Sequence, residues 1–268
     1  MPPTFSTLQP KFFQLSLDDD GVAVLRLNRP PANAHHLPMI EELAAIAMAI
    51  RFDPAVKVAV MASASDRFFS AGADIAMIRD DRPERLGLLS QTSKEVIMHM
   101  RATPKVYIAA VAGHCMGGGL ELALACDLRF AADGDYRFGV PEVMLGLIPG
   151  EGGTQLLGRL LGPSRALDLM ITGRSLTPRE AMDLGLVDFL VAPGKLWDEV
   201  REYARRIAKG PTRAIGFTKI ALTEGTTAHL WTAFALEREL QNQLFDTADC
   251  KEGVRAFLEK RPPKFSGA

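Results

Sequence analysis

Residues 110–127 read AVAGHCMGGGLELALACD, and this stretch decides the fold. An apolar run of strand character meets the consecutive glycines Gly117, Gly118 and Gly119 and then an apolar helix. Glycines at that junction let the backbone approach a ligand with no side chain in the way. The helix behind them aims its unpaired N–H groups and the positive end of its dipole at the same place. Such a junction suits an oxygen that gains negative charge during a reaction. Glu121 falls in the first turn of the helix, and taken alone its ordinary role there is charge complementation.

Working outward, residues 107–111 and 56–61 are nearly continuous apolar runs, as parallel strands covered on both faces are. Residues 12–17 and 22–27 flank Asp18-Asp19-Asp20-Gly21, the composition of a tight hairpin. Met39, Leu43, Ile46 and Ile50 recur at helical spacing and predict a helix that packs on this first sheet. Between the two buried runs, residues 69–102 predict a loop and then a helix over about 84–101, so that roughly 76–102 would form a substrate wall. Downstream, 186–191 reads as a last short strand, and helices are predicted over 196–208, 212–222, 228–245 and 250–259. The pattern is that of an α/β protein. Gly210-Pro211 marks a hinge, dividing a core over 1–209 from a helical C-terminal subdomain over 210–268.

The bulk composition narrows the function classes. A chain of 268 residues, 47% hydrophobic and 24% charged, can bury a large core. Its formal net charge of -1 gives no global basic field to steer nucleic acid or an anionic membrane to it. No apolar run approaches the roughly 20 residues of a membrane helix. Cys115, Cys126 and Cys250 form neither a Cys-x-x-Cys pair nor a zinc pattern with histidine and are read as reduced thiols. Residues 1–13 lack the features of a secretory or transit leader, so the expected location is the cytoplasm. No fixed-period repeat is present.

Two further glycine-bearing segments matter. FFSAGADI at 68–75 follows a buried strand and enters a short helix, with Asp74 near its cap. FGVPE at 138–142 leads through GLIPG at 146–150 into Glu151-Gly152-Gly153-Thr154, another glycine-rich helix entrance with a carboxylate beside it. Two glycine loops can donate N–H groups to one oxygen, and two carboxylates can handle protons. That equipment serves chemistry at the carbon next to a carbonyl.

SAGADI at 70–75, GHCMGGGLELALACD at 113–127, FGVPEVMLGLIPGEGGTQ at 138–155 and EGVRAFLEKRPPKF at 252–265 together resemble the crotonase family, closest to its enoyl-coenzyme A hydratases. The order and spacing match from NRPPANA at 28–34 onward. The resemblance implies a spiral of ββα turns and a helical C-terminal subdomain that assembles trimers, often paired into hexamers. By position in the motifs, it implies backbone oxyanion donors at Ala73 and Gly118 and acid/base carboxylates at Glu121 and Glu142. Ala71, Asp74, Ile75, Gly117 and Gly150 fall on substrate-binding positions. Lys260, in FLEKR, matches a lysine that reaches coenzyme A from a neighbouring subunit.

The implied reaction adds water across the C2–C3 double bond of a trans-2-enoyl thioester, Glu121 activating the water and Glu142 exchanging a proton at C2. No separate cofactor and no metal is called for, because coenzyme A enters as part of the substrate. Isomerases of the family generally need one base only, so retention of both glutamates favours a hydratase. Another family reaction, by an isomerase, lyase or hydrolase, and a non-catalytic RNA-binding role remain as alternatives. Two positions depart from the hydratase pattern: Ala76 where a lysine often follows GADI, and Glu151 where a small residue often separates PG from GGT. Glu151 could place a third carboxylate near the acyl pocket or cap a helix, and capping is the more ordinary role.

Other candidates read as structural. His35, His36 and His114 lack metal-ligand spacing, although His114 precedes the glycines closely enough to touch a ligand. Ser70 lacks a Gly-x-Ser-x-Gly elbow, and Cys115 has apolar neighbours. Arg201, Arg205, Arg206 and Lys209 form a basic stripe expected to face solvent.

Overall fold

The computed structural model describes residues 4–80 and 82–267. Residues 1–3, at the head of the stretch read for a leader, 81 in the expected wall and 268 at the end of the expected C-terminal subdomain lie outside the described residues.

The chain opens with β1 (Phe13–Leu17), β2 (Val22–Leu27) and α1 (Leu37–Phe52). Three turns of a spiral follow. The first is β3 (Val58–Ser63), β4 (Phe68–Ser70), α2 (Ile75–Asp80) and α3 (Pro83–Arg101). The second is β5 (Val106–Val111), β6 (His114–Met116) and α4 (Gly118–Ala125). The third is β7 (Leu128–Ala132), β8 (Phe138–Gly139) and α5 (Gly153–Leu161). The connection to the last strand runs through α6 (Pro163–Thr172) and α7 (Pro178–Asp183) to β9 (Phe189–Val191). The end is helical: α8 (Leu196–Ala208), α9 (Thr212–Gly225), α10 (Leu230–Leu244) and α11 (Ala248–Leu258).

Each spiral turn gives its first strand to one sheet and its second to another. The larger sheet has the order β1-β2-β3-β5-β7-β9, and the smaller has the order β4-β6-β8. Among the described strands, β1 alone runs antiparallel to a neighbouring strand; the ladders from β2 to β9 are parallel, as are both ladders of the small sheet. This is the expected ββα spiral.

Continuous apolar strands are explained by what covers each face. Leu25 and Leu27 of β2, Met61 of β3 and Val111 of β5 point into a core shared with α1, α3 and the small sheet. Their alternates Val24, Val60, Ile108 and Phe130 point the other way and meet Leu196, Val200, Ala204 and Ala208 of α8. Those four recur every four residues, so one stripe of α8 is buried and the rest faces water. A period-2 strand buried on both faces reads as an unbroken apolar run.

The structure also corrects details. The small sheet is not legible as strands, because β4, β6 and β8 have only two or three residues each and show no periodicity, and β7 is not because Arg129 interrupts its apolar run. The basic stripe of α8 does not simply face solvent. Arg205 pairs with Asp18 and Asp20, Lys209 pairs with Asp20, and Arg206 lies over Tyr203. The hairpin acids thus dock α8 at its C-terminal end. In α9, Lys219 is buried and its Nζ donates to the carbonyls of Met100 and Lys105 and pairs with Asp127, which ties this helix to the core. Among the described residues no helix is long and apolar enough to cross a membrane.

Candidate active site

The small sheet exists to bring three loops together. β4 ends in the Gly72 turn, β6 ends at Gly117, and β8 leads to a short 3-10 turn, Glu142–Leu145, and on to α5. Between them lies a cavity of about 530 Å³, bounded on its outer side by α2 and α3. Its wall includes Met77, Ile78, Leu86, Leu89 and Ser90 from the expected wall, and Leu145, Leu147 and Ile148 from the third loop.

All three glycines are fixed by close approach, Gly119 most tightly: a Cβ on it would stand 2.5 Å from the Ser70 carbonyl oxygen. Gly117 has φ +53°, and a Cβ on it would stand 2.8 Å from Glu142 Oε1. A Cβ on Gly118 would stand 2.7 Å from Glu151 Oε1. Any larger residue there would displace a carboxylate from the cavity. On the facing loop, the Gly72 turn abuts the same backbone: a Cβ on Gly72 would lie 2.9 Å from Gly118 N. Among the described residues, neither the Ala73 nor the Gly118 amide has a backbone acceptor, and both residues line the cavity. Gly118 is the first residue of α4, so its N–H is one of the helix's unpaired donors.

Glu121 is almost wholly buried, and one of its oxygens is held by the third loop. Its Oε1 accepts from the backbone N–H of Glu151 at 2.8 Å and of Gly153 at 2.5 Å. Gly153 opens α5, so Glu121 complements the start of α5 as well as its own helix. Burial pushes its carboxyl up to about 8, with the neighbouring carboxylates of Glu151 and then Glu142 adding to the rise, while the two N–H bonds oppose it. Glu142 is raised too, chiefly by burial, its own backbone bond opposing and Glu151 assisting. Glu142 Oε2 is buried with no hydrogen-bond partner among the described residues. An orphaned carboxyl oxygen beside a cavity is poised for a ligand.

The cavity gathers Ala71, Ala73, Ile75, Gly117, Gly118, Glu121, Glu142 and Gly150, eight of the positions singled out from the sequence. Asp74 and Lys260 are not on its wall. Asp74 is held by Arg29 at 2.6 Å and caps the α2 turn through the Ala76 N–H. Lys260 is exposed just beyond α11, with φ +55°. His114 is also outside the cavity: it packs on Phe68 and accepts from the Arg137 N–H.

Glu151 is not a helix cap. Gly152 precedes α5 and no side chain caps it, while the Glu151 side chain lines the cavity and its Oε2 lies 3.0 Å from Nδ1 of fully buried His35. His35 Nε2 in turn lies 3.1 Å from Ser70 Oγ. Sequence reasoning set both His35 and Ser70 aside. The available signal was positional, since His35 directly follows the NRPPANA motif and Glu151 interrupts PG-GGT. Among the described residues, no three His, Cys, Asp or Glu side chains are arranged to hold a metal ion.

A family model described as enoyl-CoA hydratase/isomerase matches residues 18–268, and the chain belongs to that family of enzymes within the crotonase superfamily. Among its relatives is the crotonyl-CoA hydratase of Syntrophomonas wolfei, 39% identical over 92% of this chain and 95% of the other. The short-chain-enoyl-CoA hydratase of Clostridium acetobutylicum is 36% identical over 91% of this chain and 94% of the other. A solved enoyl-CoA hydratase structure from Geobacillus kaustophilus superposes with a TM-score of 0.95 at 42% identity, covering 97% of this chain and 98% of that one.

Proposed function

We propose that the protein hydrates trans-2-enoyl-CoA thioesters, with the Ala73 and Gly118 amides binding the thioester oxygen and Glu121 and Glu142 moving the protons. The observation that carries this reading is the meeting of two raised carboxyls, one with an unpartnered oxygen, and two free amides in one cavity. N–H donors at the thioester oxygen draw electron density from the conjugated system, make C3 electrophilic and stabilise the enolate formed on attack. Glu121 takes a proton from water as the oxygen adds to C3. Glu142, protonated, delivers a proton to C2 as the enolate collapses. Two acids in one buried site do not ionise together, so the pair enters the cycle with one proton; burial raises both, and the hydration scheme needs that proton on Glu142 and Glu121 ionised. They titrate as a coupled pair.

The apolar wall from α2, α3 and the third loop suits an acyl chain, and relatives named for crotonyl and short-chain enoyl substrates favour a short one. No cofactor beyond the coenzyme A of the substrate enters the scheme. The C-terminal helices 210–268 serve assembly in this reading, as a homotrimer or a dimer of trimers. Exposed Leu222 of α9 and Leu230, Trp231 and Phe234 of α10 are the apolar surface that supports it. Lys260 would then reach coenzyme A from a neighbouring subunit. A cytoplasmic location and no nucleic-acid partner complete the proposal, in keeping with a net charge of -1.

The test follows the loss of enoyl-thioester absorbance with crotonyl-CoA. Steady loss by the parent, reduced about a thousandfold in folded Glu121→Gln and Glu142→Gln variants, is the expected result. A parent that binds the thioester without hydrating it would sink the reading.

A further inference from the structure

The third carboxylate stands where a negative charge does harm. Glu151 Oε1 packs against the Cα of Gly118: a Cβ there would lie 2.7 Å from Oε1 and 2.9 Å from His35 Nδ1. On the proposed reading, the amide of this same glycine binds the oxygen that becomes an enolate. An uncompensated carboxylate directly behind that donor repels the charge the donor is there to receive. It also drives Glu121 and Glu142 toward their protonated forms. A site built with Glu151 therefore needs something to cancel it.

The hydrogen bonds around His35 supply the cancellation and fix its proton count. Ser70 Oγ donates its single hydrogen to the Asn33 carbonyl at 2.8 Å and accepts from the Gly72 N–H at 3.1 Å. Its remaining contact, 3.1 Å to His35 Nε2, then requires a hydrogen on that nitrogen. With Nε2 protonated, the 3.0 Å contact between Nδ1 and Glu151 Oε2 holds one proton. The pair is imidazolium with carboxylate or imidazole with carboxylic acid, and its net charge is zero in both.

We propose that His35 and Ser70 are positioning residues that keep one proton shared between His35 and Glu151, so that the third carboxylate stands behind the oxyanion-binding amide as half of a neutral pair. This rests on the oxyanion role of Gly118 proposed above. The chain Ser70–His35–Glu151 is not a hydrolase triad, because Ser70 is fully buried and its proton is committed to Asn33. The groups that face the pair are Glu121 from α4, Glu142 from the third loop and, on the His35 side, His36, itself flanked by the Arg29–Asp74 ion pair.

Acetoacetyl-CoA tests this, since its enolate carries the charge the site must hold and can be followed by its absorbance. The parent, His35→Leu and His35→Leu/Glu151→Gln proteins are compared from pH 6 to 8. Expected at pH 8 is enolate binding at least tenfold weaker in His35→Leu, a deficit that narrows relative to the parent at pH 6. Glu151→Gln in the same background should recover at least half of that loss on a logarithmic scale. If His35→Leu does not fold, His35→Gln, which cannot carry the charge, replaces it in both proteins. Unchanged binding in the His35 variant, or a loss that neither acid nor Glu151→Gln relieves, overturns the proposal. Crotonyl-CoA hydration measured in parallel separates the two readings: an inactive parent that still shows this enolate pattern sinks the hydratase reading alone.

Discussion

The two faces of the large sheet have opposite chemistry. On the α8 face, Val24, Val60, Ile108 and Phe130 meet Leu196, Val200, Ala204 and Ala208, and the ion pairs of Arg205 and Lys209 with Asp18 and Asp20 lie at the C-terminal end of the helix. Beyond the other face, the small sheet's loops bury Glu121, Glu151 and His35 beside a cavity. One side is apolar contact; the other holds ionisable groups out of water and leaves a Glu142 oxygen unpartnered. Acids buried elsewhere, Asp53 and Asp249, are satisfied by backbone N–H groups, whereas at the cavity three carboxyls gather and one oxygen has no partner among the described residues, a cost retained where chemistry needs it.

The comparison is sharpened most by the largest effect expected. Glu142→Gln should lower kcat for crotonyl-CoA about a thousandfold, roughly 4 kcal/mol of transition-state stabilisation, in a protein that still unfolds cooperatively and is no less stable than the parent. A variant that loses activity only because it unfolds would blur the two faces.

Glu121→Gln should separate stability from activity in the opposite sense. The Glu121 carboxyl stands at about 8 in the fold against an ordinary 4.5, so between these values the folded chain binds a proton that the unfolded chain has released. Its contribution to stability therefore falls as pH rises from about 4.5 through about 8. Removing the ionisable group should flatten that slope and, at pH 8, stabilise the variant relative to the parent by on the order of a few kcal/mol. Denaturant melts at pH 5 and pH 8 check this, and a parent whose stability rises over that interval relative to the variant would break the comparison.

On the apolar face, Val200→Ala removes two methyl groups from a fully buried position and should cost roughly 2 kcal/mol of stability while kcat is retained. The smallest effect belongs to the edge. Arg205→Ala gives up the partly exposed pairs with Asp18 and Asp20 and should cost less than about 1 kcal/mol, with the difference shrinking in high salt.

The sequence was legible in proportion to periodicity. The helix over 196–208 was read to its ends, because Leu196, Val200, Ala204 and Ala208 form a clean stripe. The central strands β3 and β5 are legible as nearly unbroken apolar runs and β1 and β2 by the turn between them, whereas in β7, Leu128–Ala132, Arg129 interrupts the run and is buried by bonds to Cys126, Leu186 and Asp188. The small sheet was invisible, since its strands are held by position between loops and have too few residues for a pattern. At the site, Glu121 and Glu142 stood out because glycines flank them in motif order. The link from Glu151 through His35 to Ser70 did not, since it spans 116 residues between its first two members and single residues carry no spacing signal.

The most direct test of the account is the product formed from crotonyl-CoA in deuterium oxide, read by NMR. The expected result is 3-hydroxybutyryl-CoA with one deuteron at C2 and the hydroxyl at C3, lost in both Glu121→Gln and Glu142→Gln. Deuterium entering the acyl chain with no addition of water would contradict it, and would mean that the two carboxylates move protons without activating water.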